Sequence, residues 1–166
     1  ITLNEQLYIS YEITNPYIVN DQNVMLKKNR ACEIKSYKNL NTKKYKVTSK
    51  LATTGDQATK HMIPNCNYIS FETEQEGVMD LLNGKVDAFV YDLPFNAIAF
   101  AEKGQEKLVL LDTPFTYEPL AWAVNKGNAD MINWLDNFRV QAKNYGTYDK
   151  IYKKWFLSDA WLKDLQ

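Results

Sequence analysis

The chain has 166 residues, 45% of them apolar and 13% aromatic, with lysine and arginine matching aspartate and glutamate at 20 each. That is ample material for a packed core, and the balanced charge gives no field favouring nucleic acid or an anionic membrane as the main partner. No apolar run approaches the ~20 residues that span a bilayer, and two cysteines with a single histidine, His61, are too few for a zinc site, so no metal or other cofactor is expected. Taking the chain in order, residues 15–29 read as a proline turn followed by an extended strand centred on Val24, Met25 and Leu26. Residues 36–40 suit a short helical turn. Residues 45–52 alternate as a strand that runs into Thr53, Thr54 and Gly55, and these open a helix continuing over 56–62 until Pro64 stops it. Residues 68–71 form a strand. The stretch 76–92, EGVMDLLNGKVDAFVYD, carries helical spacing at Val78, Leu81 and Leu82, a glycine stop at Gly84, and a doubly covered strand over 86–91 ending at Asp92. A helix over 93–103 follows, with Pro94 in its first turn and Gly104 beyond its end, and then a strand over 107–111.

This rhythm predicts an α/β fold whose small, mainly parallel sheet is flanked by helices on both faces. After Asp112 a turn-rich stretch, 113–119, leads to a strand over 121–124 and two closing helices around 131–144 and 148–155. Residues 18–23 and 115–119 read as connections without structure of their own, which makes them candidate hinge segments between two lobe-like units. Cys32 and Cys66 read as separate thiols, with a bridge between them as the alternative in an oxidising compartment. Ile1 follows no initiator methionine or charged leader, so the chain is expected to be trimmed, with a signal peptide removed.

Two places offer chemistry. Thr53, Thr54 and Gly55 stand at a strand-to-helix turn, where free backbone amides and the positive end of a helix dipole attract a carboxylate; the bland alternative is ordinary helix capping. Asp92 follows a buried strand, where open α/β sheets bind ligands, and its alternative is likewise a helix cap. Together they form an anion site near a cation site, as a zwitterion requires. Tyr8, Tyr11, Tyr17, Tyr91 and Tyr117 are candidates to wall a pocket, Tyr17 foremost, although a chain with 11 tyrosines uses many only for packing. Trp122, Trp134, Trp155 and Trp161 read as core or interface residues. No nucleophile elbow, P-loop, zinc-protease or dinucleotide signature is present, and no catalytic residue is assigned.

ITNPYIVNDQNVMLKKN (13–29), LATTGDQA (51–58), GVMDLLNGKVDAFVYDLPF (77–95), EPLAWAVNKGN (118–128) and NYGTYDKIYKKWF (144–156) together resemble the extracytoplasmic solute-binding proteins of polar amino-acid ABC transporters. That family has the type 2 periplasmic-binding fold. The resemblance implies a complete second lobe at 23–117, with 1–22 and 118–166 as the remnant of an incomplete first lobe. It implies that Asp92 holds a ligand ammonium, that Thr54 and its neighbouring amides hold the carboxylate, and that Tyr17 borders the cleft. Residues 2–7, TLNEQL, fall where the family reads T-I-T-P-E-R, so Leu7 replaces an arginine that clamps the carboxylate bidentately. The implied activity is non-catalytic binding of a small polar solute, an amino acid or related amine. A periplasmic or extracellular protein, with or without a membrane anchor, would deliver it by hinge closure to an ABC transporter permease. The alternatives are a sensing domain of a signalling receptor and an enzyme such as cyclohexadienyl dehydratase. Self-association is expected through apolar helix faces that carry Trp134 and Leu135.

Overall fold

The structure, a computed structural model, describes Thr2, residues 5–104 and residues 106–156, with the side chains of residues 5 and 6 left out; Trp161 lies outside the described residues. The chain divides into two compact units, one of Asn20–Glu118 and one of Ile1–Val19 with Pro119–Gln166.

The first of these units is built on five strands, β3 (Gln22–Lys27), β4 (Lys46–Lys50), β5 (Asn67–Phe71), β6 (Ala88–Asp92) and β7 (Leu108–Leu110), in the spatial order β5-β4-β6-β3-β7. β4 pairs in parallel with β5 and β6, whereas β3 runs antiparallel to both β6 and β7. Four strands therefore point one way and β3 alone is reversed, giving the mainly parallel sheet that the sequence rhythm predicts. Strand alternation divides the core in two. Val24, Leu26, Val47, Ala88 and Val90 pack on one face against Ala58 and Met62 of α2 (Thr54–Met62) and against Ile34 and Leu40. Met25 and Phe89 pack on the other against Val78 and Leu81 of α3 (Glu74–Asn83) and Ala99 of α4 (Leu93–Ala99).

Helix ends follow local chemistry. α3 begins two residues before the predicted 76 because Thr73 and Glu76 form a reciprocal capping box, Glu76 N–H donating to Thr73 Oγ1 at 3.3 Å and Thr73 N–H to Glu76 Oε2 at 3.1 Å. It ends where Gly84 takes φ 76°, the left-handed conformation that favours glycine. The helix predicted over 93–103 changes character after Ala99 into a single π turn, Phe100–Gly104, so Gly104 closes that turn instead of lying beyond the helix. Cys66 is buried in the first core cluster, Cys32 is exposed, and both are free thiols.

The second unit pairs β1 (Tyr11–Ile13), which follows the short α1 (Glu5–Ser10), with β9 (Ala123–Asn125), and β2 (Ile18–Val19) with β8 (Pro119–Leu120), both antiparallel. This corrects two expectations. Residues 18–23 and 115–119 are not bare connections, because β2, β8 and the start of β3 lie in them. The strand predicted over 121–124 is also broken at Ala121 and Trp122. There Thr14 N–H donates to the Trp122 carbonyl at 3.0 Å while Trp122 N–H turns to Thr14 Oγ1 at 3.1 Å, so a side chain replaces one rung of the ladder. α5 (Ala129–Asn144) and α6 (Thr147–Phe156) complete the unit, and no residue of either helix is buried. Asn15 anchors α5 by donating its backbone N–H and its Nδ2 to the Asp136 carboxylate at 3.0 and 2.8 Å.

Candidate functional site

The carboxyl ends of β4 and β6 lie at one edge of the sheet, and the reversed β3 starts there. β4 ends at Lys50, after which Ala52 takes φ 61°, a left-handed conformation that a residue with a Cβ adopts only under strain. Its N–H donates to Asp56 Oδ2 at 3.3 Å. Thr53 follows as the N-cap of α2, its hydroxyl donating to the Lys50 carbonyl at 2.7 Å and accepting from Asp56 N–H at 3.3 Å. The capping alternative thus describes Thr53, whose hydroxyl is fully engaged. Thr54 differs: it is exposed, and its Oγ1 accepts from Gln22 Nε2 at 3.1 Å. Asp56 N–H is taken by Thr53 and Gln57 N–H by the Thr53 carbonyl, so the amides of Thr54 and Gly55 keep no bonded partner among the described residues.

Asp92 is half-buried at the end of β6, directly opposite Gln22 in the antiparallel ladder. It stands at the N-cap position of α4, yet its carboxylate makes no capping bond and instead accepts from Gln22 Nε2 at 2.5 Å. One buried amide therefore joins Asp92 to Thr54. Gly55 permits the close approach, because a Cβ there would fall 2.7 Å from Gln22 Oε1 and 3.1 Å from the Val90 carbonyl.

Tyr91 is turned away from this group by strand alternation. Its ring packs on Phe95 at 5.2 Å and on Phe89 at 5.7 Å, on the opposite face from Val90. Its hydroxyl donates to Glu74 Oε1 at 2.7 Å, and the same oxygen receives Lys50 Nζ at 2.8 Å. Burial first, and then the Glu74 hydrogen bond, push the Tyr91 phenol up. The Lys50 and Tyr91 hydrogen bonds hold the Glu74 carboxyl at about 2, below its ordinary 4.5. Tyr17 belongs to the other unit, where it stacks on Trp122 with ring centroids 4.8 Å apart. Tyr8 and Tyr11 are exposed in that same unit, and Tyr117 is exposed in the first.

The two groups at the edge of the sheet have complementary chemistry, a carboxylate beside an exposed hydroxyl and the first amides of a nine-residue helix. Such an arrangement has the chemistry to receive a cationic and an anionic group side by side. Among the described residues no group of three side chains could hold a metal ion, and no helix is long and apolar enough to cross a membrane. Residues 4–158 match the bacterial extracellular solute-binding proteins, family 3. The chain belongs to that family.

Within family 3, the chain is 31% identical over 160 residues to the ABC transporter glutamine-binding protein GlnH of Bacillus subtilis, a match covering 96% of this chain and 56% of the relative. The L-cystine-binding protein TcyJ of Escherichia coli is 22% identical, with 96% and 59% covered. The chain thus spans somewhat more than half the length of these curated relatives. Among solved structures it is similar to a binding component assigned to an ABC transporter of Wolinella succinogenes, complexed with lysine, at 40% identity and a TM-score of 0.91, covering 98% of this chain and 70% of that one. It is also similar to an ancestral cationic amino-acid solute-binding protein, at 36% identity and a TM-score of 0.81, with 94% and 66% covered. These likenesses confirm the periplasmic-binding-type α/β fold.

Sequence reasoning did not single out Gln22 or Glu74. Gln22 reads as one polar residue at a strand end, and only the reversal of β3 brings it to Asp92. Glu74 lies ahead of the predicted helix start, and the capping pattern Thr73-x-x-Glu76 could have moved that start forward.

The Glu74 environment sets a pH dependence. Its folded pKa of about 2 lies below the ordinary 4.5, so its stabilisation is fully present above pH 4.5 and is lost as the pH falls through 2. Urea unfolding from pH 7 to pH 2 should show Glu74→Gln less stable at neutral pH and flatter between pH 4.5 and 2 than the unsubstituted chain. Parallel curves for the two proteins in that window would remove Glu74 as the cause.

Proposed function

We propose that the chain contributes the binding site of an extracellular protein that holds an amino acid or a closely related amine for delivery to an ABC transporter permease. The observation that supports this reading is the Asp92 carboxylate joined through Gln22 to the exposed Thr54 hydroxyl at the start of α2. In this reading Asp92 takes the ligand ammonium, and Thr54 with the amides of Thr54 and Gly55 takes its carboxylate. Leu7 stands where the resemblance places an arginine, so the helix terminus carries more of the carboxylate's stabilisation. Thr53 supports the seat as cap, and 20–118 acts as the ligand-bearing lobe. Ligand binding would be coupled to hinge closure at the two crossings of the chain, 19–20 and 118–119, with the ligand's differential affinity as the source of free energy. The ligands of the similar proteins, lysine, glutamine and cationic amino acids, favour a solute with an α-ammonium and an α-carboxylate. The protein acts as a binder and not as an enzyme, outside the cytoplasm.

A thermal-shift titration with L-lysine, L-arginine, L-glutamine, cadaverine and small organic acids tests this. A ligand that binds only the folded chain stabilises it by about 2.7 kcal/mol at one hundred times its Kd. The expected result is a saturable rise of the midpoint with at least one amino acid, abolished by Asp92→Ala. No rise across the panel would refute the reading.

Self-association belongs to the same proposal. Trp134 is 62% exposed and stacks on Phe138, 48% exposed, at 5.8 Å, while Ile151 and Trp155 are exposed on α6. Such apolar faces favour burial against a second copy. Light scattering across a concentration series should show mass above that of a 19.3 kDa monomer, falling towards it when Trp134→Ser and Phe138→Ser are combined. A monomer throughout would refute self-association.

A further inference from the structure

Gln22 makes two side-chain contacts at the candidate seat, one to Thr54 and one to Asp92. Its residue is wholly buried, and its backbone is fixed on both sides, the N–H donating to Thr116 Oγ1 at 3.1 Å and the carbonyl accepting from Phe115 N–H at 2.8 Å. We propose that Gln22 is a positioning residue that couples the ammonium and carboxylate halves of the ligand seat through its single side-chain amide.

The Nε2 group carries two hydrogens and gives one to Thr54 Oγ1 at 3.1 Å and one to Asp92 Oδ1 at 2.5 Å. A hydroxyl that accepts still has its own hydrogen to donate, so the Thr54 O–H is left for a ligand carboxylate. A carboxylate accepts at two oxygens, so Asp92 Oδ2 is left for a ligand ammonium. The opposite setting of the Gln22 amide would place its carbonyl oxygen against the Asp92 carboxylate, two acceptors facing each other, so the chemistry of Asp92 selects the orientation present. In that orientation Oε1 is turned towards Gly55 and is buried with no hydrogen-bond partner among the described residues. An unsatisfied buried acceptor destabilises the fold locally, a feature that clusters at functional sites. A side chain that only filled space here would be better apolar.

The inference rests on the ligand reading above, and two measurements separate them. In the ligand-free protein, 1H–15N spectra should show the Gln22 side-chain amide signals moving in Thr54→Val and again in Asp92→Asn. Amide signals that stay in place in either variant would overturn the bridge. With L-lysine as probe, Gln22→Met, which keeps the volume and removes both donors, should lower affinity by about tenfold or more while the ligand-free thermal midpoint stays close to that of the unsubstituted chain. Unchanged lysine affinity in a folded Gln22→Met protein would overturn the positioning role. Should the unsubstituted chain bind none of lysine, arginine or glutamine while both amide shifts occur, the ligand reading fails and the bridge between Thr54 and Asp92 is retained.

Discussion

The antiparallel pairing of β3 with β6 is the constraint on which the candidate site depends. A wholly parallel sheet would bring only strand ends to its carboxyl edge, each followed by a loop. Reversal of β3 delivers the first residue of a strand to that edge, and the register Gln22↔Asp92 sets its side chain opposite the carboxylate. A slip of one residue would turn Gln22 to the other face and put Asn23 opposite Asp92. The slip is opposed from within, because it would also exchange Val24 and Leu26 with Met25 between two cores of different shape.

The same alternation sorts the polar residues at this edge. Gln22 and Asp92 share the face of Val24 and Val90, under the start of α2. Tyr91, one residue before Asp92, joins Phe89 and Phe95 on the opposite face and is tied to Glu74 and Lys50. Neighbours in sequence therefore do separate work. Asp92 keeps acceptor capacity beyond the bond from Gln22, while Tyr91 spends its hydroxyl on an internal ion pair.

Most of the architecture of residues 20–118 was legible in the sequence. Val78, Leu81 and Leu82 carry a helical period, the apolar runs at 24–26 and 88–91 are strands, and Gly84 ends a helix as its φ requires. The direction of β3 was not legible, because an apolar run buried on both faces has the same pattern in either direction. Local pairing chemistry was equally hidden at Trp122, where a strand breaks because a threonine hydroxyl 108 residues away in sequence takes its N–H. Thr54 and Asp92 could be named from their places at strand ends. That Thr53 is engaged as a cap, and that Asp92 is not, depends on side-chain geometry that spacing does not encode. The bridge between Thr54 and Asp92 needed three elements to be placed together.

The central claim is that one ligand is held by its ammonium and its carboxylate at Asp92 and at the start of α2. A 1H–15N titration of the uniformly labelled chain with L-lysine, L-arginine and L-glutamine tests it most directly. The account predicts saturable shifts with at least one of them, largest at the backbone amides of Thr54 and Gly55 and at Asp92, with the Gln22 side-chain amide moving in step. Saturable shifts centred elsewhere, or none with any of the three, would contradict it.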